Sequence, residues 1–265
     1  MATGLNVKET LEGHLKELHL PAFRHGYEEL ARQAQQEGLS YERYLLGLVE
    51  REVQERRQKR IERLLRESRL PLEKSWPALD LKRFPPKVLQ QARSLLEGSF
   101  VDRRENVLAF GAPGSGKTHL LCAISQELVQ AGRRVLFTTC SLLVQELLVA
   151  KRDLKLSRVL KRLAGYGVLL IDDLGYVQQS REEMEVLFTL LAERYERGSV
   201  LLTSNLPFSG WEAIFKDPMT TAAAIDRLVH HSVIIELNLP SYRAEQAKKA
   251  KQGRGAAAAE EAPPP

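Results

Sequence analysis

Apolar residues recur at helical spacing in the first part of the chain and in short strand-like runs in the second. Over residues 1–70 the helical spacing breaks at Pro21 and near Gly38. Ser40 is suited to cap a third, long helix that covers residues 41–69. The pattern therefore predicts a small N-terminal helical domain.

From residue 87 onward, short apolar runs alternate with helical segments. The predicted strands are 106–110, 134–139, 167–172, 199–204 and 232–237. The predicted helices are 87–98, 117–130, 141–149, 153–164, 181–197 and 219–230. Five apolar strands separated by helices are typical of the α/β class, with a five-stranded parallel sheet and helices on both faces.

Residues 71–86 hold four prolines and are predicted to form a joint between two domains. Trp76 or Phe84 in this joint is suited to line an adenine pocket, and either is equally compatible with ordinary packing. The tail is basic and then rich in alanine and proline, so disorder is expected after about residue 250. The predicted division is a helical domain at 1–70, the joint at 71–86, an α/β domain at 87–243 and the tail at 244–265.

Composition narrows the classes of protein to consider. The 265 residues are 43% hydrophobic, which is enough for a core, and no apolar run reaches the roughly 18 residues of a membrane span. The N-terminus is amphipathic and carries acids, so we expect no secretion signal, no membrane contact and a cytoplasmic location. Cys122 and Cys140 are predicted to be small core residues in a reducing compartment. The net charge of +5 is compatible with nucleic-acid binding but weak by itself.

A glycine-rich segment, GAPGSGKT, follows the first predicted strand and precedes a helix. It matches G-x-x-x-x-G-K-[ST] at every fixed position, and this context predicts a phosphate-binding loop. Glycines let backbone N–H groups turn toward an anion, and the helix N-terminus adds partial positive charge. Lys117 is suited to reach the β- and γ-phosphates, and the Thr118 hydroxyl is suited to bind Mg²⁺. The predicted nucleotide-binding residues here are Gly111, Ala112, Pro113, Gly114, Ser115, Gly116, Lys117, Thr118 and His119.

Polar side chains end the next two apolar strands, where ligands bind in open α/β sheets. Asp172 ends VLLID and is predicted to organise Mg²⁺, while Asp173 would activate the attacking water. Asn205 follows the next strand and would hydrogen-bond that water and sense the γ-phosphate. The alternatives are an acidic strand end followed by a turn, and a turn asparagine before Pro207.

Two arginines complete the predicted site. Arg227, near the end of the last helix, would reach the γ-phosphate of a neighbouring subunit in trans, because guanidinium is planar and always charged. That role requires an oligomer, and the alternative is a surface pair with Asp226. Arg243 would touch the nucleotide in cis, and its alternative is the basic start of the tail.

These five pieces occur in the order of the AAA+ ATPases: Walker A, Walker B, sensor 1, arginine finger and a residue similar to sensor 2. The segments GKTHL, IDDLGY, LTSNLPFSGW, DRLVHHS and SYR resemble the IstB family over roughly residues 10–245. IstB proteins are helper ATPases encoded beside the transposase in one class of bacterial insertion sequences. The family is related to the helicase loader DnaC and resembles the ATPase core of DnaA.

The resemblance implies that the chain binds ATP and Mg²⁺, assembles on double-stranded DNA, bends it and delivers it to a transposase that stimulates hydrolysis. It also implies that no C-terminal helical lid is present, which weakens the assignment of Arg243. The chain departs from most AAA+ enzymes in carrying Asp173 where glutamate is usual. Aspartate is one methylene shorter, so we expect slow hydrolysis that suits a switch.

A cluster of basic residues lies between the second and third strands, where DnaA-like and DnaC-like ATPases carry an extra helix at the DNA channel. Six basic residues against one acid leave five net positive charges in twelve residues. We expect them to contact the DNA backbone, and the alternative is a solvated basic helix. The predicted DNA-binding residues are Lys151, Arg152, Lys155, Arg158, Lys161 and Arg162.

Two other functions compete with the transposition helper. One is a replicative helicase loader of the DnaC type, in which the N-terminal helices would bind the helicase. The other is a nucleotide-gated DNA-binding scaffold that hardly hydrolyses ATP. The SNLPFSGW and HHS segments favour the transposition helper.

Overall fold

The computed structural model describes residues 4–175, 180–211, 218–242 and 245. The chain divides into two compact units, Met1–Arg63 and Leu64–Pro265. The division falls inside the third helix, seven residues before the boundary at residue 70 that the sequence suggested.

The first unit contains helices α1 (Gly4–Glu17) and α2 (Pro21–Glu37) and most of α3 (Tyr41–Ser68). Pro21 occupies the first turn of α2, where its missing N–H costs nothing. Gly38 ends α2 in the left-handed region at φ 62°, and Ser40 Oγ accepts the N–H of Arg43 at 3.3 Å to cap α3. The predicted breaks at Pro21 and Gly38 and the predicted cap at Ser40 are confirmed.

The second unit carries a five-stranded sheet in the order β2-β3-β4-β1-β5, and every pairing is parallel. The strands are β1 (Asn106–Gly111), β2 (Val135–Thr139), β3 (Val168–Leu174), β4 (Ser199–Ser204) and β5 (Ser232–Leu237). The helices are α4 (Pro86–Leu96), α5 (Ser99–Asp102), α6 (Lys117–Gln130), α7 (Cys140–Arg152), α8 (Leu156–Ala164), α9 (Arg181–Arg194) and α10 (Pro218–Val229). The predicted α/β fold and all five predicted strands are confirmed.

Four predicted helices, 87–98, 141–149, 153–164 and 181–197, differ from the observed bounds by two or three residues at one end, and backbone reversals explain two of these errors. The predicted helix 87–98 stops at Leu96, because Gly98 adopts a left-handed φ of 75° and a separate short helix, α5, follows it. The predicted helix 153–164 begins only at Leu156, because α7 continues through Arg152 and Leu154 turns left-handed at φ 57°. Both errors come from local backbone reversals that apolar periodicity does not report.

Alternating residues of each strand enter two separate cores on opposite faces of the sheet. Leu108 and Phe110 belong to the core that contains buried residues of α7, α9 and α10. Val107 and Ala109 belong to the core that contains buried residues of α4 and α6. Because both faces are covered, the central strands are apolar throughout, which explains why their runs were recognisable in the sequence.

The carboxyl end of β3 is irregular at the position of the two acids. The β3–β4 register is regular to Ile171 and then shifts before Leu174 pairs with Ser204. Asp173 lies in this irregularity with a left-handed φ of 63°, which is rare outside glycine. Asp172 is buried and Asp173 is exposed, so the two adjacent acids lie in different environments at this bulge.

None of the helices in the described ranges has both the length and the apolar composition required to cross a membrane. Both cysteines are buried, as the sequence predicted. Burial raises the pKa of the Cys122 thiol to about 12.

Candidate nucleotide-binding site

The glycine-rich loop connects β1 to α6 and has the backbone reversals that an anion-binding turn requires. Gly114 and Gly116 adopt left-handed φ values of 80° and 101°. A Cβ atom at Gly114 would overlap the Oγ of Ser241, and one at Gly111 would overlap the carbonyl oxygen of Leu237. These glycines are therefore required both by conformation and by the close approach of the chain after β5.

Two side chains of the loop supply donors for a phosphate. The Lys117 ammonium lies against the loop, where Nζ donates to the carbonyl oxygens of Gly111 at 2.7 Å and Ala112 at 3.0 Å. The Oγ of Ser115 is buried and has no hydrogen-bond partner among the described residues. A buried hydroxyl without a partner is costly, and an anion held by the loop would satisfy it. The residues present therefore fit a phosphate group.

A network of side-chain hydrogen bonds joins the loop to β3 and β4. Asp172 is 6% exposed, and its Oδ1 accepts hydrogen bonds from Thr118 Oγ1 at 2.7 Å and Thr203 Oγ1 at 2.6 Å. Thr203 Oγ1 in turn accepts the backbone N–H of Asp173 at 2.8 Å. A carboxylate and a hydroxyl side by side are oxygen ligands of the kind Mg²⁺ prefers. Thr118 and Asp172 therefore fit the predicted metal role.

A cavity of about 510 Å³ opens over the loop. Residues 113–119 of the loop and first helical turn line it, together with Asp172, Asp173 and Asn205. Leu79 and Phe84 provide apolar lining, and Phe84 lies close enough to Gly116 that a Cβ there would be 3.2 Å from its ring. Of the two aromatic residues considered for an adenine pocket, Phe84 lines the cavity and Trp76 does not. His119, also predicted, lines it as well.

Thr203, Arg83 and Tyr242 are among the residues of this site that the sequence did not predict. Thr203 bridges the two acids, and Arg83 and Tyr242 line the cavity from its other side. The Arg83 guanidinium lies 4.9 Å above the Tyr242 ring and donates to the carbonyl oxygen of Pro240 at 2.9 Å. The N–H of Tyr242 donates to the carbonyl oxygen of Gly114 at 3.0 Å.

The predicted cis arginine, Arg243, lies outside the described residues. The sequence motif SYR nonetheless pointed to this segment, because its first two residues contact the glycine-rich loop. No sequence pattern marked Arg83, since it lies in the joint, 157 or more residues before its described partners after β5.

Arg227 lies at the end of the sheet opposite to the glycine-rich loop, near the first residue of β1. Asn106, the first residue of β1, donates its side-chain N–H to the carbonyl oxygens of Arg227 at 3.4 Å and Leu228 at 3.0 Å. Because the loop begins after the last residue of β1, the strand length of about 16–20 Å separates the two. The Arg227 guanidinium lies 4.9 Å above the Phe188 ring and lines a second cavity of about 390 Å³. Arg227 is therefore not part of the nucleotide site of its own chain.

The six predicted DNA-binding residues are all exposed and lie around the α7–α8 turn. Three of them form ion pairs: Lys151 with Glu185 at 3.0 Å, Lys155 with Asp153 at 3.4 Å and Arg162 with Glu146 at 2.5 Å. In the described part of the chain, no such partner lies within 4.0 Å of Arg152, Arg158 or Lys161. The last three are thus the cations most available to an external anion.

Comparison with protein families gives one match over most of the chain. The family model described as IstB-like ATP binding protein matches residues 13–250. A putative insertion sequence ATP-binding protein of Sinorhizobium fredii is 42% identical over 246 residues, which are 92% of this chain and 83% of the relative. The insertion sequence IS21 putative ATP-binding protein of Pseudomonas aeruginosa is 37% identical over 240 residues, or 91% of each chain.

Solved structures share the fold. The crystal structure of DnaI matches with a TM-score of 0.52 and 25% identity, over 64% of this chain and 95% of DnaI. The AMPPCP-bound DnaA from Aquifex aeolicus matches with a TM-score of 0.55 over 70% of this chain and 56% of DnaA. At 16% identity, the likeness to DnaA concerns the fold alone.

Proposed function

The chain belongs to the family of IstB-like ATP binding proteins, and from this premise we infer that it is an AAA+ ATPase of an insertion sequence. We propose that it assembles on duplex DNA in its ATP-bound form, remodels that DNA and delivers it to a transposase in the bacterial cytoplasm. Hydrolysis of ATP then acts as a switch that ends the assembly.

The observation that carries this proposal is the convergence of Thr118, Asp172, Asp173 and Asn205 on one cavity above the glycine-rich loop. Thr118 and Asp172 would hold Mg²⁺, which supplies charge neutralisation at the β- and γ-phosphates when it is bound. The loop amides, Lys117 and the Ser115 hydroxyl would hold the phosphate oxygens and orient the γ-phosphate.

Asp173 and Asn205 would act on the attacking water. Asp173 is exposed and lines the cavity, and its own N–H donates to Thr203 Oγ1, so its carboxylate would accept a proton at a defined place. Its short side chain reaches less far than the glutamate usual in AAA+ enzymes, which favours slow turnover. Slow hydrolysis suits a protein whose ATP-bound state must persist on DNA until a partner arrives.

Arg227 would complete the site of a neighbouring copy. Its position at the end of the sheet remote from the glycine-rich loop excludes a role at its own chain's nucleotide and supports a role in trans. The proposed active unit is therefore an oligomer.

Contact with the DNA backbone is assigned to the basic surface around α7 and α8. Arg158→Ala should lower the slope of log affinity against log salt by about 0.9, the value for one lost phosphate contact. Lys155→Ala should lower it less, because Lys155 already pairs with Asp153 at 3.4 Å. Equal slopes for Arg158→Ala and wild type would remove α8 from the DNA surface.

The decisive experiment mixes two variants that should each be inactive for different reasons. Asp173→Asn keeps Arg227 but lacks the base, and Arg227→Ala keeps Asp173 but lacks the finger. On duplex DNA, an equal mixture should recover about a quarter of the wild-type hydrolysis rate, since one neighbour pair in four is complete. A mixture as inactive as its components would contradict a finger in trans, and Lys117→Ala serves as the variant that should not bind ATP.

Transposase and helicase distinguish the proposed helper from the loader. We expect the cognate transposase to stimulate phosphate release from the DNA-bound assembly and a replicative helicase to leave it unchanged. The reverse result would identify a helicase loader. Phosphate release near zero under both conditions would instead favour a nucleotide-gated scaffold.

A further inference from the structure

The turn between α7 and α8 presents a leucine to solvent. Leu154 is 93% exposed, more than any other large apolar side chain in the described part of the chain. It also adopts a left-handed φ of 57°. Full exposure and an unfavourable backbone conformation together make leucine a poor residue for this position.

The hydrogen bonds of the turn show which residue the backbone would favour. The N–H of Lys155 donates to the carbonyl oxygen of Ala150 at 2.7 Å, and the N–H of Leu154 donates to that of Lys151 at 3.2 Å. This pair of bonds defines a Schellman motif with Leu154 at the left-handed position, where glycine or asparagine is normal. The leucine side chain adds strain to this motif and contributes almost no burial in return.

Positive charge surrounds the exposed leucine on both sides along the chain. Lys151 and Arg152 lie in the last turn of α7, and Lys155 is the N-cap residue of α8. All three are exposed, and the one acid between them, Asp153, is paired with Lys155. The crest of the turn is thus an apolar tip between cations, within a segment that carries five net positive charges in twelve residues.

We propose that Leu154 is a wedge that inserts between base pairs of duplex DNA and kinks it while the flanking cations hold the phosphates. This inference rests on the proposed binding of duplex DNA by α7 and α8. Apolar wedges that unstack a base step and bend the duplex are a known way to bend DNA without reading its sequence. The charge around the tip favours a polyanionic occupant over an apolar protein groove, which would leave these cations desolvated and unpaired.

Leu154→Gly is a sharp test, because it removes the wedge, keeps every charge and relieves the left-handed strain. Its thermal stability should equal or exceed that of wild type, so a loss of function cannot be attributed to misfolding. On a short duplex labelled at both ends, energy transfer should show the bend reduced by at least about 20°, the lower end of wedge-induced kinks. The fluorescence of 2-aminopurine in the duplex, which rises on unstacking, should stay at its free-duplex value.

Leu154→Met keeps an apolar tip and should bend and unstack the duplex like wild type. Leu142→Ala is the matched control, because Leu142 is an exposed leucine in the first turn of α7, and it should also behave like wild type. The salt slope of binding should be the same for Leu154→Gly and wild type, since no phosphate contact is removed.

Wild-type bending and unstacking by Leu154→Gly would overturn the wedge while leaving duplex binding intact. A lower salt slope for Leu154→Gly would also overturn the wedge, because Leu154 would then act by positioning the neighbouring cations on the phosphates. If wild type itself shows no salt-dependent duplex binding, the wedge and the proposed DNA contact both fall.

Discussion

Replacing Thr203 with valine tests the network that joins the two acids. Valine keeps the shape of threonine but cannot make its two hydrogen bonds, to Asp172 Oδ1 at 2.6 Å and from the Asp173 N–H at 2.8 Å. Thr203 is fully buried, and Asp172 is nearly so. Water therefore has little access to replace the lost hydroxyl.

The expected cost follows from the two bonds. A hydrogen bond to a charged acceptor contributes about 1.5–3 kcal/mol, and an N–H left without a partner costs about 1 kcal/mol or more. We expect Thr203→Val to lower the free energy of unfolding by roughly 3 kcal/mol. At a urea slope of about 2 kcal/mol per molar, the midpoint would fall by roughly 1.5 M.

Tryptophan fluorescence is the suitable assay, because Trp76 and Trp211 are the only tryptophans and both lie in the second unit. Thr189→Val is the matched control. Its hydroxyl donates to the carbonyl oxygen of Glu185 in the same helix, at 2.8 Å, so the change should stay within about 0.5 kcal/mol. The ATP affinity of Thr203→Val should equal that of wild type, since Thr203 does not line the cavity. Its rate of ATP hydrolysis should fall, because the Asp173 N–H loses its hydrogen-bond acceptor. A loss of stability below about 1 kcal/mol would refute the bridging role.

Two further predictions concern the glycine-rich loop and the core. Gly114→Ala should abolish ATP binding, because the new Cβ would displace Ser241. Gly132→Ala is the control, because Gly132 has a similar φ of 84° and a Cβ there would have no atom within 4 Å. This control should lower the free energy of unfolding by only about 1 kcal/mol. ATP titration calorimetry on both variants checks this, and equal ATP affinities would contradict the steric argument. The Cys122 thiol, with its pKa of about 12, should resist disulfide reagents at pH 8 until urea unfolds the chain. Rapid labelling of the folded protein at pH 8 would contradict the burial of Cys122. Because the folded state binds the thiol proton more tightly than the unfolded state, the free energy of unfolding should fall as the pH rises above 9.0, the ordinary pKa of the thiol.

The sequence was sufficient for the parts of the fold and site that depend on local pattern. The five strands were recognisable because both sheet faces are covered, which makes each strand apolar along its length. The glycine-rich loop, Lys117, Thr118 and Asp172 were recognisable because their chemistry requires fixed spacing or a strand end. The structure brings these residues, with Asp173 and Asn205, to one cavity.

Contacts between distant segments were not predictable from any local pattern. Thr203 looked like an ordinary strand residue, and its role appears only because parallel pairing sets β4 beside β3. Arg83 and Tyr242 are 159 positions apart in the sequence, and no local pattern relates them.

The sequence by itself determined that this chain binds a phosphate group at the end of a parallel strand, since residue type and spacing suffice for that. Tertiary structure alone decided that Arg227 lies at the end of the sheet remote from the loop, because this depends on the contact between the end of α10 and Asn106, the first residue of β1. It also decided that Leu154 stands exposed at a left-handed turn, because a single backbone reversal leaves apolar periodicity unchanged. The positions of Arg227 and Leu154 are the structural basis for the proposed role of Arg227 in a neighbouring subunit and of Leu154 at the DNA.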